Sequence, residues 1–345
     1  MPDPTFLGTA LPLIQAPMAG SQDARLALAV GATGALGSLP AAMLGADALE
    51  QQLRLLQAGG RPYNVNFFAH TPPTPDAGRE ARWRAALSPF CAELGLDAST
   101  PAGGATRRPF GDEAAEVLEA FRPAVVSFHF GLPAAPLLAR VKRLGCRVLS
   151  SATTVDEALW LQAHGADAVI AQGLEAGGHR GHFLSTDVAR QADLPALLPA
   201  IVAAVRLPVI AAGGITDAAG VRDAMSMGAA AVQAGTAFLL CPEASTGALH
   251  RARLRDPDAP TALTNLFSGG LARGIVNRAM RELGPVSEAA PPFPLASGAI
   301  APLRAAAEAR GRDDFTPLWS GTRRHGCREA PAAEIVRALA AGLAG

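Results

Sequence analysis

At 345 residues the chain could hold two average domains or one large α/β barrel. Its 49% hydrophobic against 17% charged side chains support a sizeable core and argue against disorder. Thirty basic and thirty acidic residues cancel with no basic stripe, so nucleic acid is not an expected partner. The four cysteines, Cys91, Cys146, Cys241 and Cys327, form no CxxC pair, which speaks against a zinc site or a disulfide framework and for a reducing, cytoplasmic home. Met1 to Thr5 shows no sign of a signal peptide, and no apolar run approaches the roughly 20 residues that span a bilayer.

Eight short apolar segments read as strands: 13–16, 35–38, 63–68, 125–130, 147–151, 167–172, 208–212 and 231–235. Most are continuous apolar runs, the pattern of parallel strands covered on both faces. Helices are expected between them. Leu137 to Leu144 stops at Gly145, and Thr154-Val155-Asp156-Glu157 has capping-box spacing for a helix running to about His164. Ala196 to Val205 carries another, and Thr216-Asp217 opens one ending near Gly228. The alternation predicts an α/β fold, a (β/α)8 TIM barrel, and the absence of GxGxxG or GxxxxGK[ST] disfavours Rossmann and P-loop folds.

Two regions break the rhythm. Residues 71–110, rich in Pro, Gly and Arg, are expected to wrap the outside between the third and fourth strands, with Arg107-Arg108 as a solvated face. After Phe238 the alternation ends, and a smaller lid-like α/β or helical element near the C-terminus is expected over the barrel mouth. The expected division is a barrel over 1–241, a smaller domain over 242–316, and a C-terminal segment, 317–345, whose amphipathic helix Ala332 to Leu343 returns to the barrel.

In such a barrel the chemistry sits at the C-terminal strand ends. Those ends offer Ala16-Pro17-Met18, Asn66, His129, Ser151, Gln172, Gly213-Gly214 and Gly235-Thr236, with almost no carboxylate, which disfavours acidic metal sites and two-carboxylate glycosidase chemistry. The sixth strand runs into Gln172-Gly173-Leu174-Glu175-Ala176-Gly177-Gly178-His179-Arg180-Gly181. Four glycines around one imidazole suit close backbone approach to a ligand, with His179 able to move a proton near neutral pH. The alternative is a flexible loop with an incidental histidine. Glu175 is expected to make a loop hydrogen bond. His129 lines the substrate pocket or packs in the core, and His179 with His182 forms an HxxH pair that lacks a third metal ligand nearby. The loops Gly213-Gly214 and Gln233-Ala234-Gly235-Thr236 expose backbone amides on adjacent strands, the arrangement of a phosphate site that needs no lysine.

The segments Gln15-Ala16-Pro17-Met18, Asn66, Gln172 to Gly181, Ala211 to Ile215, Gln233 to Thr236, Ser268 to Arg278 and Leu318-Trp319-Ser320-Gly321 together resemble the nitronate monooxygenase family, formerly 2-nitropropane dioxygenases. The resemblance implies a barrel holding FMN non-covalently and an oxidation of alkyl nitronates or nitroalkanes by O2 to carbonyl compounds and nitrite. It implies that Asn66, Gln172, Gly177 and Gly178 contact the flavin, that Ala16, Pro17 and Met18 lie against its ring, and that Gly213, Gly214, Gln233, Ala234, Gly235 and Thr236 hold its phosphate. His179 would be the catalytic base. From their strand exits His129 and Ser151 are the candidate substrate-side residues; no metal, nucleic acid or membrane partner is expected, and the sequence leaves the oligomeric state open, a homodimer included. The family often has Gly-Arg-Pro after the serine at 268, whereas here Gly269-Gly270-Leu271 follows, which leaves the lid undefined. Two rivals share the fold: an FMN-dependent enoyl-acyl-carrier-protein reductase using NAD(P)H, and a flavin-free phosphate-binding barrel.

Overall fold

The computed structural model describes residues 6–97 and 107–344, so Met1 to Thr5 and part of the 71–110 excursion lie outside the described residues. The strands are β1 (Leu13–Gln15), β2 (Gly37–Pro40), β3 (Tyr63–Phe68), β4 (Val125–His129), β5 (Arg147–Ala152), β6 (Ala168–Gln172), β7 (Gly178–His179), β8 (Val209–Ala212), β9 (Ala231–Ala234), β10 (Thr261–Thr264) and β11 (Ala272–Ile275). Eight of them form one parallel sheet in the order β1-β9-β8-β6-β5-β4-β3-β2. Its two edges meet: Gln15 N–H donates to the Leu36 carbonyl (2.9 Å) and Leu36 N–H to the Leu13 carbonyl (2.8 Å). This is a (β/α)8 TIM barrel. The second strand begins two residues later than the apolar run 35–38, at Gly37, where a Cβ would lie 2.1 Å from the Ala27 carbonyl.

Local chemistry sets the helix starts. Asp193 accepts from Ala196 N–H (3.2 Å), and with Pro195 in the first turn the helix Leu194–Ala204 begins earlier than its apolar pattern suggested. Asp217 caps Ala218–Ser226 through Gly220 N–H (2.8 Å). The expected capping box at 154–157 is only half made. Thr154 Oγ accepts from Glu157 N–H (3.2 Å), but the Glu157 carboxylate accepts from Thr153 N–H and Oγ–H (2.7 and 2.8 Å) and from Phe183 N–H (2.7 Å). A buried glutamate thereby ties a helix start to the segment that follows the glycine-histidine loop.

Within the region after Phe238, residues 266–315 form a second packing unit with its own core, while Cys241, Ala244 and residues 330–339 join the barrel core. The 71–110 excursion contributes to it rather than wrapping the barrel alone. Its helix Ala77–Leu94 sets Trp83, Leu87 and Phe90 against Ile300, Leu303 and Phe315, and Trp83 Nε1–H donates to the Ala296 carbonyl (3.1 Å). A three-stranded antiparallel sheet, β10-β11-β7, belongs partly to this unit, and its edge strand β7 is the Gly178–His179 pair itself. The motif loop is therefore held by the barrel on one side and by the second unit on the other. The helix Ala332–Ala340 buries Ile335, Val336 and Leu339 in the barrel's outer layer. Among the described residues no helix is long and apolar enough to cross a membrane.

Candidate active site

A cavity opens at the C-terminal strand ends. Ala16, Pro17, Met18, Asn66, His129, Ser151, Gln172, Gly177, Gly178, His179, Gly213, Gly214, Gln233, Gly235 and Thr236 all line it. Ala234 does not: it is buried in β9, where its carbonyl accepts the Ala16 N–H (2.8 Å). The lining contains no carboxylate and two guanidiniums, Arg107 and Arg323.

His179 stands at one end. Its Nε2 is 2.8 Å from the hydroxyl of fully buried Ser268, and its ring lies among those of Phe293, Trp319, Phe130 and Phe68, at centroid distances of 5.2, 5.5, 6.1 and 6.2 Å. Burial first, then the charges of Arg107, His129, His182 and His70, hold its pKa well below the usual imidazole value, so the ring is neutral. His129 has both nitrogens engaged: Nε2 with the His179 carbonyl (3.1 Å) and Nδ1 with Ser151 Oγ (3.0 Å). Burial lowers its pKa to about 4, and a neutral ring that donates Nε2–H to the carbonyl accepts at Nδ1 from Ser151.

The loop is positioned by groups that its motif alone did not explain. Gln172 Nε2–H donates to the His179 carbonyl (2.8 Å) and its Oε1 accepts from Gly181 N–H (2.7 Å). Arg180, fully buried, donates to the Gln172 and Gly173 carbonyls (2.7 and 2.6 Å) and to Gln191 Oε1 (2.9 Å). Glu175 takes a loop hydrogen bond as expected, from Leu194 N–H (2.9 Å). The loop glycines answer mainly to protein neighbours. A Cβ at Gly177 would sit 2.5 Å from the Gly321 nitrogen, and one at Gly181 would sit 2.8 Å from both His129 and Ser151.

The other end of the cavity is built from backbone and amides. Gly213 and Gly214 have φ of 124° and 68°, a conformation that favours glycine. Arg323 stands beside Gly214, so this end has a cation as well as amides, which the lysine-free reading left out. Gln233 Oε1 is buried without a partner. Asn66 spends its Nδ2–H on Ser127 Oγ (3.0 Å). On β1, Gln15 and Gln22 bond each other, and Gln22 Oε1 accepts the Met18 N–H (3.0 Å), which fixes the Ala16–Met18 turn.

Arg107 corrects the expectation for its segment. Arg108 is on an exposed face near Glu113 (3.7 Å), but Arg107 turns into the cavity wall. Ser268, Arg107, Arg323, Phe293 and Trp319 were not predicted as site residues. Ser268 and Trp319 lay within resembling segments that carried no assigned role, and nothing local marks the other three.

Residues 4–342 match the family model described as nitronate monooxygenase. The chain is 42% identical to a nitronate monooxygenase from Pseudomonas aeruginosa, over 99% of this chain and 98% of that one. A solved nitroalkane oxidase from Streptomyces ansochromogenes superposes with a TM-score of 0.88 at 39% identity, covering 99% and 97% of the two chains. FabK from Thermotoga maritima, at 22% identity and a TM-score of 0.68 over 97% of this chain and 93% of its own, shares the fold alone. The chain belongs to the nitronate monooxygenase family.

Proposed function

We propose that this protein oxidises alkyl nitronates and nitroalkanes with O2 to carbonyl compounds and nitrite, using FMN and with His179 as general base. The observation that carries the reading is a neutral imidazole, fixed by Ser268, in a cavity whose far end is a glycine, amide and arginine cradle. The residues present fit FMN. Gly213, Gly214 and Arg323 suit a phosphate, and the unpartnered Gln233 Oε1 suits a hydroxyl donor such as a ribityl group. Asn66, Gln172, Gly177, Gly178 and the Ala16–Met18 turn would border the ring. When bound, the flavin supplies the electron-accepting chemistry.

The protein's own contribution is proton transfer and orientation. A neutral nitroalkane must lose the proton on the carbon next to its nitro group, and a neutral His179 can accept it. When Nε2–H donates to Ser268 Oγ, Nδ1 carries the lone pair that takes the proton. A substrate that arrives as the nitronate needs no base. His129 and Ser151 hold the His179 backbone from behind the loop, so we assign them to positioning.

Oxygen uptake with propyl-2-nitronate and with nitroethane tests this, on the wild type and on His179→Asn. Loss of nitroethane turnover with part of the nitronate turnover retained is expected. Equal retention of both overturns the base assignment. Rapid anaerobic bleaching of the flavin by NADH would favour the enoyl reductase instead.

A further inference from the structure

The cavity holds two guanidiniums and no carboxylate, and only one of them is accounted for. Arg323 stands beside Gly214, at the phosphate end. Arg107 lines the same cavity as His179 and, after burial, its charge is the largest influence on that imidazole; it is half-buried, and among the described residues no carboxylate lies within ion-pair distance of it. A partly buried cation costs free energy unless something compensates it, and a cavity wall is where a ligand can do so. Around it the polar side chains near His179 are histidines, serines and amides; with Arg107 unpaired, this end of the cavity carries positive charge.

We propose that Arg107 forms an oxyanion-binding site at the His179 end of the cavity, which takes the two oxygens of a nitronate and, in competition with it, small planar oxyanions such as nitrate and nitrite. A guanidinium presents parallel N–H donors that match a planar two-oxygen anion. The inference rests on the function proposed above and adds two things to it: a residue that holds the nitronate charge, whether the anion is supplied or is formed by proton loss to His179, and retention of the nitrite product. The charge has a second effect. Arg107, with His129, His182 and His70, disfavours protonation of His179, so the cation that would hold the nitronate also keeps the base unprotonated.

The test uses the flavin-loaded protein at constant ionic strength. Calorimetric titration with sodium nitrate should give binding that weakens at least tenfold in Arg107→Met and less in Arg107→Lys. In the same Met variant kcat/KM for propyl-2-nitronate should fall roughly 10- to 100-fold, the scale of one or two hydrogen bonds to a charged group, and that for nitroethane should fall as well, because proton loss to His179 places the developing negative charge on the same two oxygens. The acidic limb of nitroethane turnover should move to higher pH, because removing the cation relieves His179. Nitrate should inhibit the wild type competitively against nitronate, a measurement that needs no variant. Unchanged nitrate affinity and unchanged nitronate kinetics in Arg107→Met, or non-competitive inhibition of the wild type, overturn the proposal. Absence of any nitronate oxidation by the wild type would overturn the function reading, and nitrate binding would still decide the site.

Discussion

Arg180→Met should destabilise the protein by about 3 kcal/mol and weaken flavin binding with it. The side chain is fully exposed to neither solvent nor an acid: it is buried, and among the described residues no carboxylate lies within ion-pair distance. Burial pulls its pKa from 12.5 down to about 10, a cost on the order of 3 kcal/mol. Against this stand three charge-assisted hydrogen bonds, to the Gln172 carbonyl, the Gly173 carbonyl and Gln191 Oε1, each about 2 kcal/mol. Methionine removes both sides of the balance, and the Gly173 carbonyl keeps the Ala176 N–H (3.1 Å) while the Gln172 carbonyl and Gln191 Oε1 lose their donor, so the net loss is about 3 kcal/mol. Urea unfolding should show a lower midpoint at an unchanged slope. Arg180→Lys should recover little, because one ammonium cannot span three acceptors. A midpoint within about 0.5 kcal/mol of wild type, or a gain, would refute the reasoning. It would mean that desolvation of the guanidinium outweighs its bonds, as when a buried ion is replaced by a well-packed apolar side chain.

Other outcomes are as specific. Ser268→Ala removes the hydroxyl on His179 Nε2, and should lower nitroethane turnover about tenfold while leaving nitronate turnover within about threefold; equal losses would argue against a tautomer-setting role. Gly177→Ala places a methyl 2.5 Å from the Gly321 nitrogen, so the segment 320–321 must shift. The expected result is a flavin dissociation constant raised at least tenfold, and tight retention of the flavin would contradict it. Burial holds His129 and His250 at about 4 in the fold against 6.5 for a free imidazole. The unfolded chain therefore binds protons first as pH falls, and stability that is full above pH 6.5 is lost down to about pH 4, roughly 3 kcal/mol for each ring. His250→Gln should flatten part of that loss in urea midpoints measured at pH 7.5 and 4.5.

The barrel was legible because its strands are short apolar runs between glycines and prolines, and their parallel pairing follows from burial on both faces. The second strand shows the limit of that signal, since Ala35 and Leu36 are as apolar as the strand but close the barrel through an isolated bridge. The excursion over 71–110 departs from what its composition predicts for a related reason. The helix Ala77–Leu94 has apolar residues whose partners, Ile300 and Leu303, are more than two hundred positions away, and local periodicity cannot say which core a helix joins.

The same distinction governs the site. Strand exits put Asn66, Gln172, Gly213 and Gly235 on one rim because the fold fixes where strands end. His179 was found by its glycine neighbours, yet what those glycines accommodate are Ser320, Gly321, His129 and Ser151, all remote in sequence. Arg107 and Arg108 look alike in the chain; Arg108 is exposed and Arg107 lines the cavity. A charge in sequence carries no sign of burial, so only the folded wall separates a solubilising arginine from one left to find an anion. The site is thus a barrel rim, fixed by topology, completed by groups that the second unit and the 71–110 excursion bring to it. His179 sits at that seam, on a strand paired with β11 and a loop bonded to Gln172. Because β7 pairs with β11 while Gln172 and His129 of the barrel hold the His179 carbonyl, the imidazole and its Ser268 partner stay oriented only while the two units keep their packing.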